Sequence, residues 1–196
     1  MPDKLTLDDI ADLRAYERER DEFREHVIAL KKKRRINIGP VVTLVFENRD
    51  TVRFQIQEMA RAERMLTDEA IQTELDTYNP LIPEPGQLAA TLFIELTSKD
   101  ELLEWLPKLV GIERSVELRL GDSIVVPSVP EEAHAALLTR EEITASVHYV
   151  YFHLSPEQID ALEQGPATLA VNLAAYQQAT GLNEATRREL RNDLRG

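Results

Sequence analysis

Along the first third of the chain, apolar residues recur at three- and four-residue steps. Leu7, Ile10, Leu13, Tyr16, Phe23, Val27 and Leu30 form one stripe on an otherwise charged segment. That period is the period of an amphipathic helix. Thr6 is placed to cap it, and Asp8 and Asp9 suit the positive end of its dipole. The basic run Lys31–Arg35 suits the negative end. The pattern predicts one helix over about 7–33, about 40 Å long. A helix that long exceeds what a small domain needs, so part of it is expected to project or to pack on a partner.

The period then changes. Ile36 to Phe46 is rich in Val, Ile and Leu, and Glu47-Asn48-Arg49-Asp50 has turn composition. Val52, Phe54 and Ile56 alternate with Arg53, Gln55 and Gln57, which predicts the half-buried second strand of a hairpin over about 36–59. A helix is expected over about 68–77. Tyr78-Asn79-Pro80-Leu81-Ile82-Pro83-Glu84-Pro85-Gly86 follows, and its three prolines forbid helix and favour a rigid extended loop.

The second half carries a loose internal echo. Leu88–Leu96 predicts a strand, Ser98 with Glu101 a capping box, and Leu102, Leu106 and Leu109 a helical face that Pro107 shortens. Gly111 ends that helix, Val116–Leu120 predicts a strand, and Gly121-Asp122 turns it into Ser123–Val126. The order recurs as strand Val147–Leu154, a helix opened by Ser155-Pro156-Glu157-Gln158, and strand Thr168–Leu173. Arg187, Arg188, Arg191 and Arg195 mark a basic tail helix. Together these predict one α+β domain over residues 1–196. Its sheet is mainly antiparallel, with ferredoxin-like strand–helix–strand units at about 88–126 and 147–174.

Composition narrows the function. Residues 1–35 hold ten Lys/Arg against nine Asp/Glu, while the rest holds 13 against 26, for a net charge of −12. Like-charge repulsion argues against broad nucleic-acid or anionic-membrane binding, so neither partner is expected. Cysteine is absent, which removes disulfides, zinc–thiolate sites, iron–sulfur ligation and thiol catalysis. No apolar run approaches the roughly 18–20 residues that span a bilayer. The N-terminus lacks the apolar stretch of a signal peptide, and a cytoplasmic location is expected.

Few residues carry recognisable chemistry. No phosphate-cradling loop and no Gly-x-Ser-x-Gly elbow is present. His148 and His153 lie five apart on one strand, on opposite faces, so they do not share a metal. Glu131 and His134 have the i, i+3 spacing of di-iron carboxylate bundles, but only one such pair exists and no metal is expected. Glu58, Arg61 and Glu63 interleave opposite charges, the pattern of a salt-bridged surface. With Tyr78, Asn79 and His148 they are also the best candidate pocket, where arginine beside carboxylates orients an acidic ligand. The proline loop is expected to pack as a strap over one sheet edge or to wall that pocket. No catalytic residue is assigned and no cofactor is expected.

Several stretches in order are similar to one prokaryotic family. They are Phe46-Glu47-Asn48-Arg49, Gln55-Ile56-Gln57-Glu58-Met59-x-Arg61-x-Glu63, Glu74-Leu75-Asp76-x-Tyr78-Asn79-Pro80-Leu81-Ile82-Pro83, Ala90-Thr91 and Leu109-Val110-Gly111-Ile112-Glu113, with Val147-His148 and Phe152 further on. They resemble the family catalogued as domain of unknown function 3501, over Leu5 to at least Leu154. The resemblance brings no established activity and no catalytic residue. Its genes look often to neighbour those of rubrerythrin-like proteins and iron–sulfur oxidoreductases, which implies a link to redox or oxidative-stress chemistry. The expected role is therefore an accessory or interaction protein serving such a system, as a homo-oligomer or with a protein partner. The alternative is a metal-dependent or small acidic-ligand-binding enzyme using the carboxylate, arginine and histidine residues above.

Overall fold

The computed structural model describes residues 4–132 and 143–196. The chain is α+β, with six helices and two antiparallel sheets among the described residues. In chain order the elements are α1 (Leu13–Arg34), β1 (Arg35–Ile38), β2 (Val42–Glu47), α2 (Arg49–Glu63), α3 (Asp68–Tyr78), β3 (Gln87–Ile94) and α4 (Lys99–Lys108). There follow β4 (Val116–Leu120), β5 (Ile124–Pro127), β6 (Val129–Pro130), β7 (Val147–His153), α5 (Pro156–Gln164), β8 (Ala167–Leu173), β9 (Tyr176–Gly181) and α6 (Glu184–Arg195). One sheet has the order β1-β2-β3-β7-β6 and the other β5-β4-β8-β9. No helix among the described residues is long and apolar enough to cross a membrane.

The long N-terminal helix is present but starts later than Thr6. Thr6 caps only a single 3-10 turn, Leu7–Asp9, and Asp12 caps α1 by accepting from the Ala15 N–H at 2.9 Å. The break lets Leu5 bury against α2 and α3. The Ala11 backbone meanwhile pairs both ways with the buried Gln57 amide, at 2.7 and 3.1 Å. The shortened helix spends its buried residues, Tyr16, Val27 and Arg34, on α2, β2 and α6 of its own chain.

The hairpin is shorter than expected, and Val52–Gln57 is not its second strand. Strands β1 and β2 pair over Arg35↔Val45 to Ile38↔Val42, and 49–63 is the helix α2. The residues of turn composition form the helix cap. The Asn48 side chain accepts from the Thr51 N–H and the Thr51 hydroxyl oxygen accepts from the Asn48 N–H. Val52, Ile56 and Ala60 then bury at four-residue steps, a period that Phe54 obscures by packing its ring on Phe23 instead.

The true turn needs Gly39, at φ +72°. A Cβ there would sit 2.5 Å from both the Tyr176 hydroxyl and the Gln178 Cγ. That hydroxyl closes the turn by donating to the Ile38 carbonyl at 2.6 Å and accepting from the Val41 N–H at 3.2 Å. Gly39→Ala is expected to cost about 2–4 kcal/mol, from left-handed strain plus overpacking. Urea unfolding measures it, and a loss under about 1 kcal/mol would mean that the turn relaxes freely.

Both strand–helix–strand stretches form, as β3–α4–β4 and β7–α5–β8. Each crosses from one sheet to the other, so their strands do not lie in a single ferredoxin-like sheet. Their helices start where Ser98 and Ser155 predict, each with a reciprocal capping box. One face of each sheet builds the main core, with Leu44, Phe46, Leu92 and Phe152 from the first and Leu118 and Leu169 from the second. The opposite face of the five-stranded sheet is covered by α2, α3 and the Leu81–Ile82 segment in a smaller cluster. Strand β9 has no counterpart in the apolar pattern, because it is an edge strand with only Tyr176 buried.

Candidate functional site

The six residues expected to share a pocket are spread over four places. Glu58 lies between α2 and α1. It accepts from the Tyr16 hydroxyl at 2.7 Å and from Arg20 Nε and Nη2 at 2.8 and 2.9 Å. The Arg20 bonds hold its carboxyl below the usual range, and the Tyr16 bond adds to this. Burial, with Glu58 beside it, pushes the Tyr16 phenol up. Arg61 pairs with Glu17 on the exposed side of the same helix pair. Glu63 ends α2 near Glu74, whose carboxyl is raised first by burial and then by that charge. Glu58 and Arg61 thus fasten α2 to α1, and Glu63 takes no part in that fastening.

Asn79 clamps the N-terminal segment, accepting from the Leu5 N–H and donating to the Leu5 carbonyl, both at 2.9 Å. The proline loop packs down. Leu81 and Ile82 are buried, and the Tyr151 hydroxyl donates to the Pro80 carbonyl at 2.8 Å. Lys4 adds bonds to the Asn79 and Ile82 carbonyls at 3.2 and 2.6 Å.

His148 belongs to the main core, on the sheet face opposite the loop. Its Nε2 lies 2.8 Å from Thr144 Oγ1 and 3.0 Å from the Ala145 carbonyl. Burial lowers its basicity, against the pull of the neighbouring Glu113. A folded-state value below the unfolded 6.5 means that stability is present above pH 6.5 and is lost as pH falls below it. The melting temperature is therefore expected to fall between pH 7 and pH 5, and to fall less in His148→Gln. Equal losses in both proteins would remove His148 from the account. Glu131 is half-buried, with its N–H bonded to the Tyr149 carbonyl at 2.9 Å. His134 lies outside the described residues. Among the described residues no three His, Asp or Glu side chains gather as a metal requires.

Tyr78 alone of the six lines the pocket of about 280 Å³ on the outer face of the five-stranded sheet. Register builds the floor, because Arg35, Val45, Thr91 and Tyr149 stand abreast on four neighbouring strands. Thr43, Phe93 and Val147 form the next row, and Phe93 and Val147 also line the pocket. Val52 and Gln55 from α2, with Tyr78 and Leu81, form the roof, and Lys31 closes one side. Glu47 sits at the end of β2. Its two carboxylate oxygens accept from the Thr91 and Thr51 hydroxyls at 2.6 and 2.5 Å. Burial, with Tyr78 and Glu47 nearby, pushes the Tyr149 hydroxyl up to about 12. Burial and Glu74 raise that of Tyr78, which Gln55 hydrogen-bonds. Both phenols thus stay neutral hydrogen-bonding groups at physiological pH.

The cations differ in their commitments. Arg35 is paired with Glu95 at the exposed rim. Lys31 lies over the Phe54 ring at 5.9 Å and has no carboxylate partner among the described residues. Neither cation was distinguishable from a helix terminus in the sequence, since the contiguous run 31–35 fits that role equally well. The neighbouring Lys33 and Arg34 do serve it, through Glu189 and Asp193 of α6.

No functionally curated protein matches the chain. Among solved structures it is similar to a novel protein of unknown function from Burkholderia pseudomallei, at 34% identity with a TM-score of 0.90. The match covers 98% of this chain and 100% of that one. Residues 4–194 match the family described as protein of unknown function DUF3501. With that match running through both sheets and all six described helices, the chain belongs to the DUF3501 family.

Proposed function

We propose that the protein binds a small organic acid in the pocket between the five-stranded sheet and helices α1–α3. The observation that carries this is Lys31, a cation without a counter-carboxylate lining a pocket that also has apolar and hydroxyl walls. Val45, Phe93, Val147 and Leu81 suit a hydrocarbon body, and Thr91, Tyr78 and Tyr149 supply fixed polar groups. At roughly 30 Å³ per water, the space equals about nine waters, which suits a ligand on the order of ten non-hydrogen atoms. An acid is favoured over a metal because the pocket offers one carboxylate, Glu47, and no histidine. The accessory role with a redox partner is a separate proposal, which this pocket neither requires nor opposes.

Calorimetric titration with small monocarboxylates, amino acids among them, tests the reading. At least one is expected to bind, and Lys31→Met is expected to weaken it about tenfold, the loss of one charge-assisted bond. No binding by any of them, or unchanged affinity in Lys31→Met, would contradict it.

A further inference from the structure

The pocket contains two opposite charges that do not meet. Lys31 and Glu47 both line it, and neither has an ion-pair partner among the described residues, each other included. An unpaired charge on a partly buried wall is costly unless something completes it. Arg35 does not neutralise Glu47, because its guanidinium is committed to Glu95.

Glu47 is also held still and only partly used. A carboxylate has about four lone-pair sites. The Thr51 and Thr91 hydroxyls occupy one site on each oxygen, and both threonines are buried. The two remaining sites can take N–H donors. Tyr149, which is near enough to both Glu47 and Tyr78 to feel their charges, lines the same pocket. The hydrocarbon wall of Phe93 and Val147 lies one row beyond Tyr149 and two rows from Glu47 along the sheet.

We propose that the ligand is a free amino acid with a bulky apolar side chain. Its carboxylate meets Lys31, its ammonium meets Glu47, and its side chain lies against Phe93, Val147 and Tyr149. This rests on the acid-binding reading above and adds the ammonium site. The bland alternative is that Glu47 only ties β2 to β3 and to the start of α2, through its two threonine bonds.

Three matched probes separate these cases by calorimetry on the intact protein: L-phenylalanine, 3-phenylpropanoate, which lacks the ammonium, and 2-phenylethylamine, which lacks the carboxylate. L-phenylalanine is expected to bind about tenfold or more tighter than either analogue. Glu47→Gln keeps the side-chain shape and is expected to erase the advantage over 3-phenylpropanoate. Lys31→Met, at a position without an ion pair, is expected to erase the advantage over 2-phenylethylamine. If 3-phenylpropanoate binds as tightly as L-phenylalanine, the ammonium site is wrong and the acid pocket stands. The same holds if Glu47→Gln leaves their ratio unchanged. If neither the amino acid nor the acid binds, this proposal falls, and the acid reading falls with it when none of the smaller monocarboxylates binds either.

Discussion

Asp193→Ala is expected to destabilise the fold by about 3–5 kcal/mol, the range for breaking a buried ion pair from one side. Arg34 is 2% exposed, at the end of α1. Its Nη1 and Nη2 donate to the two Asp193 oxygens at 2.7 and 2.9 Å, and Nη2 also reaches Glu189 at 3.3 Å. Burial disfavours the guanidinium charge, and the two carboxylates more than offset it. Burial likewise raises the Asp193 carboxyl while Arg34 pulls it back. Removing Asp193 leaves a buried guanidinium with one long bond to Glu189, and Arg34 Nε has no partner to begin with. For a chain of this size the loss corresponds to roughly 6–20 °C in melting temperature. The double variant Arg34→Met with Asp193→Leu is expected to recover most of it, because apolar replacement removes the desolvation cost as well as the attraction. A single variant that melts within about 2 °C of the parent would mean that α6 is not held to α1 by this pair.

Val147→Trp is expected to abolish ligand binding while leaving the fold intact. Val147 is only partly buried, on the outer face of β7 opposite Phe93, so a larger side chain grows into the pocket and not into the main core. A Trp side chain is far bulkier than Val, and the pocket holds only about 280 Å³. At least a hundredfold loss of affinity is expected, because the remaining space no longer admits an apolar side chain beside Lys31 and Glu47. Calorimetry with L-phenylalanine measures the affinity, and a melting curve checks the fold. A well-folded variant that binds as the parent does would place the ligand elsewhere.

The legible parts of the fold are those that local chemistry dictates. Ser98–Glu101 and Ser155–Gln158 are capping boxes in the sequence and in the structure. Gly111 adopts φ +86° where α4 is expected to end. Helix α2 was not legible, because Val52, Phe54 and Ile56 satisfy a strand's period as well as part of a helix's. Asn48 and Thr51 decide the matter through their reciprocal cap, a signal that the turn-like composition of 47–50 concealed. The ferredoxin-like reading assumes that consecutive strands share a sheet, and no local pattern records that β3 and β4 do not.

The pocket was less legible still. Tyr78 was visible as a residue too large and apolar to leave in water beside a proline loop. Glu47, Thr91 and Tyr149 come from three strands more than 40 residues apart in sequence, and only the antiparallel register sets them side by side. Glu58 and Arg61 have the interleaved charges of a candidate site, yet they fasten α2 to α1 through Tyr16, Arg20 and Glu17. Charge alone does not distinguish a fastening from a site. Lys31 and Glu47 differ from the fastenings only in three dimensions, where neither has an ion-pair partner among the described residues.

A two-dimensional NMR titration of the intact protein with L-phenylalanine tests the central claim most directly. The account predicts saturable shifts concentrated at Val45, Glu47, Thr91, Val147 and Tyr149, with His148 and the main core unmoved. Shifts concentrated away from that sheet face, or none up to the solubility limit of the amino acid, would contradict it.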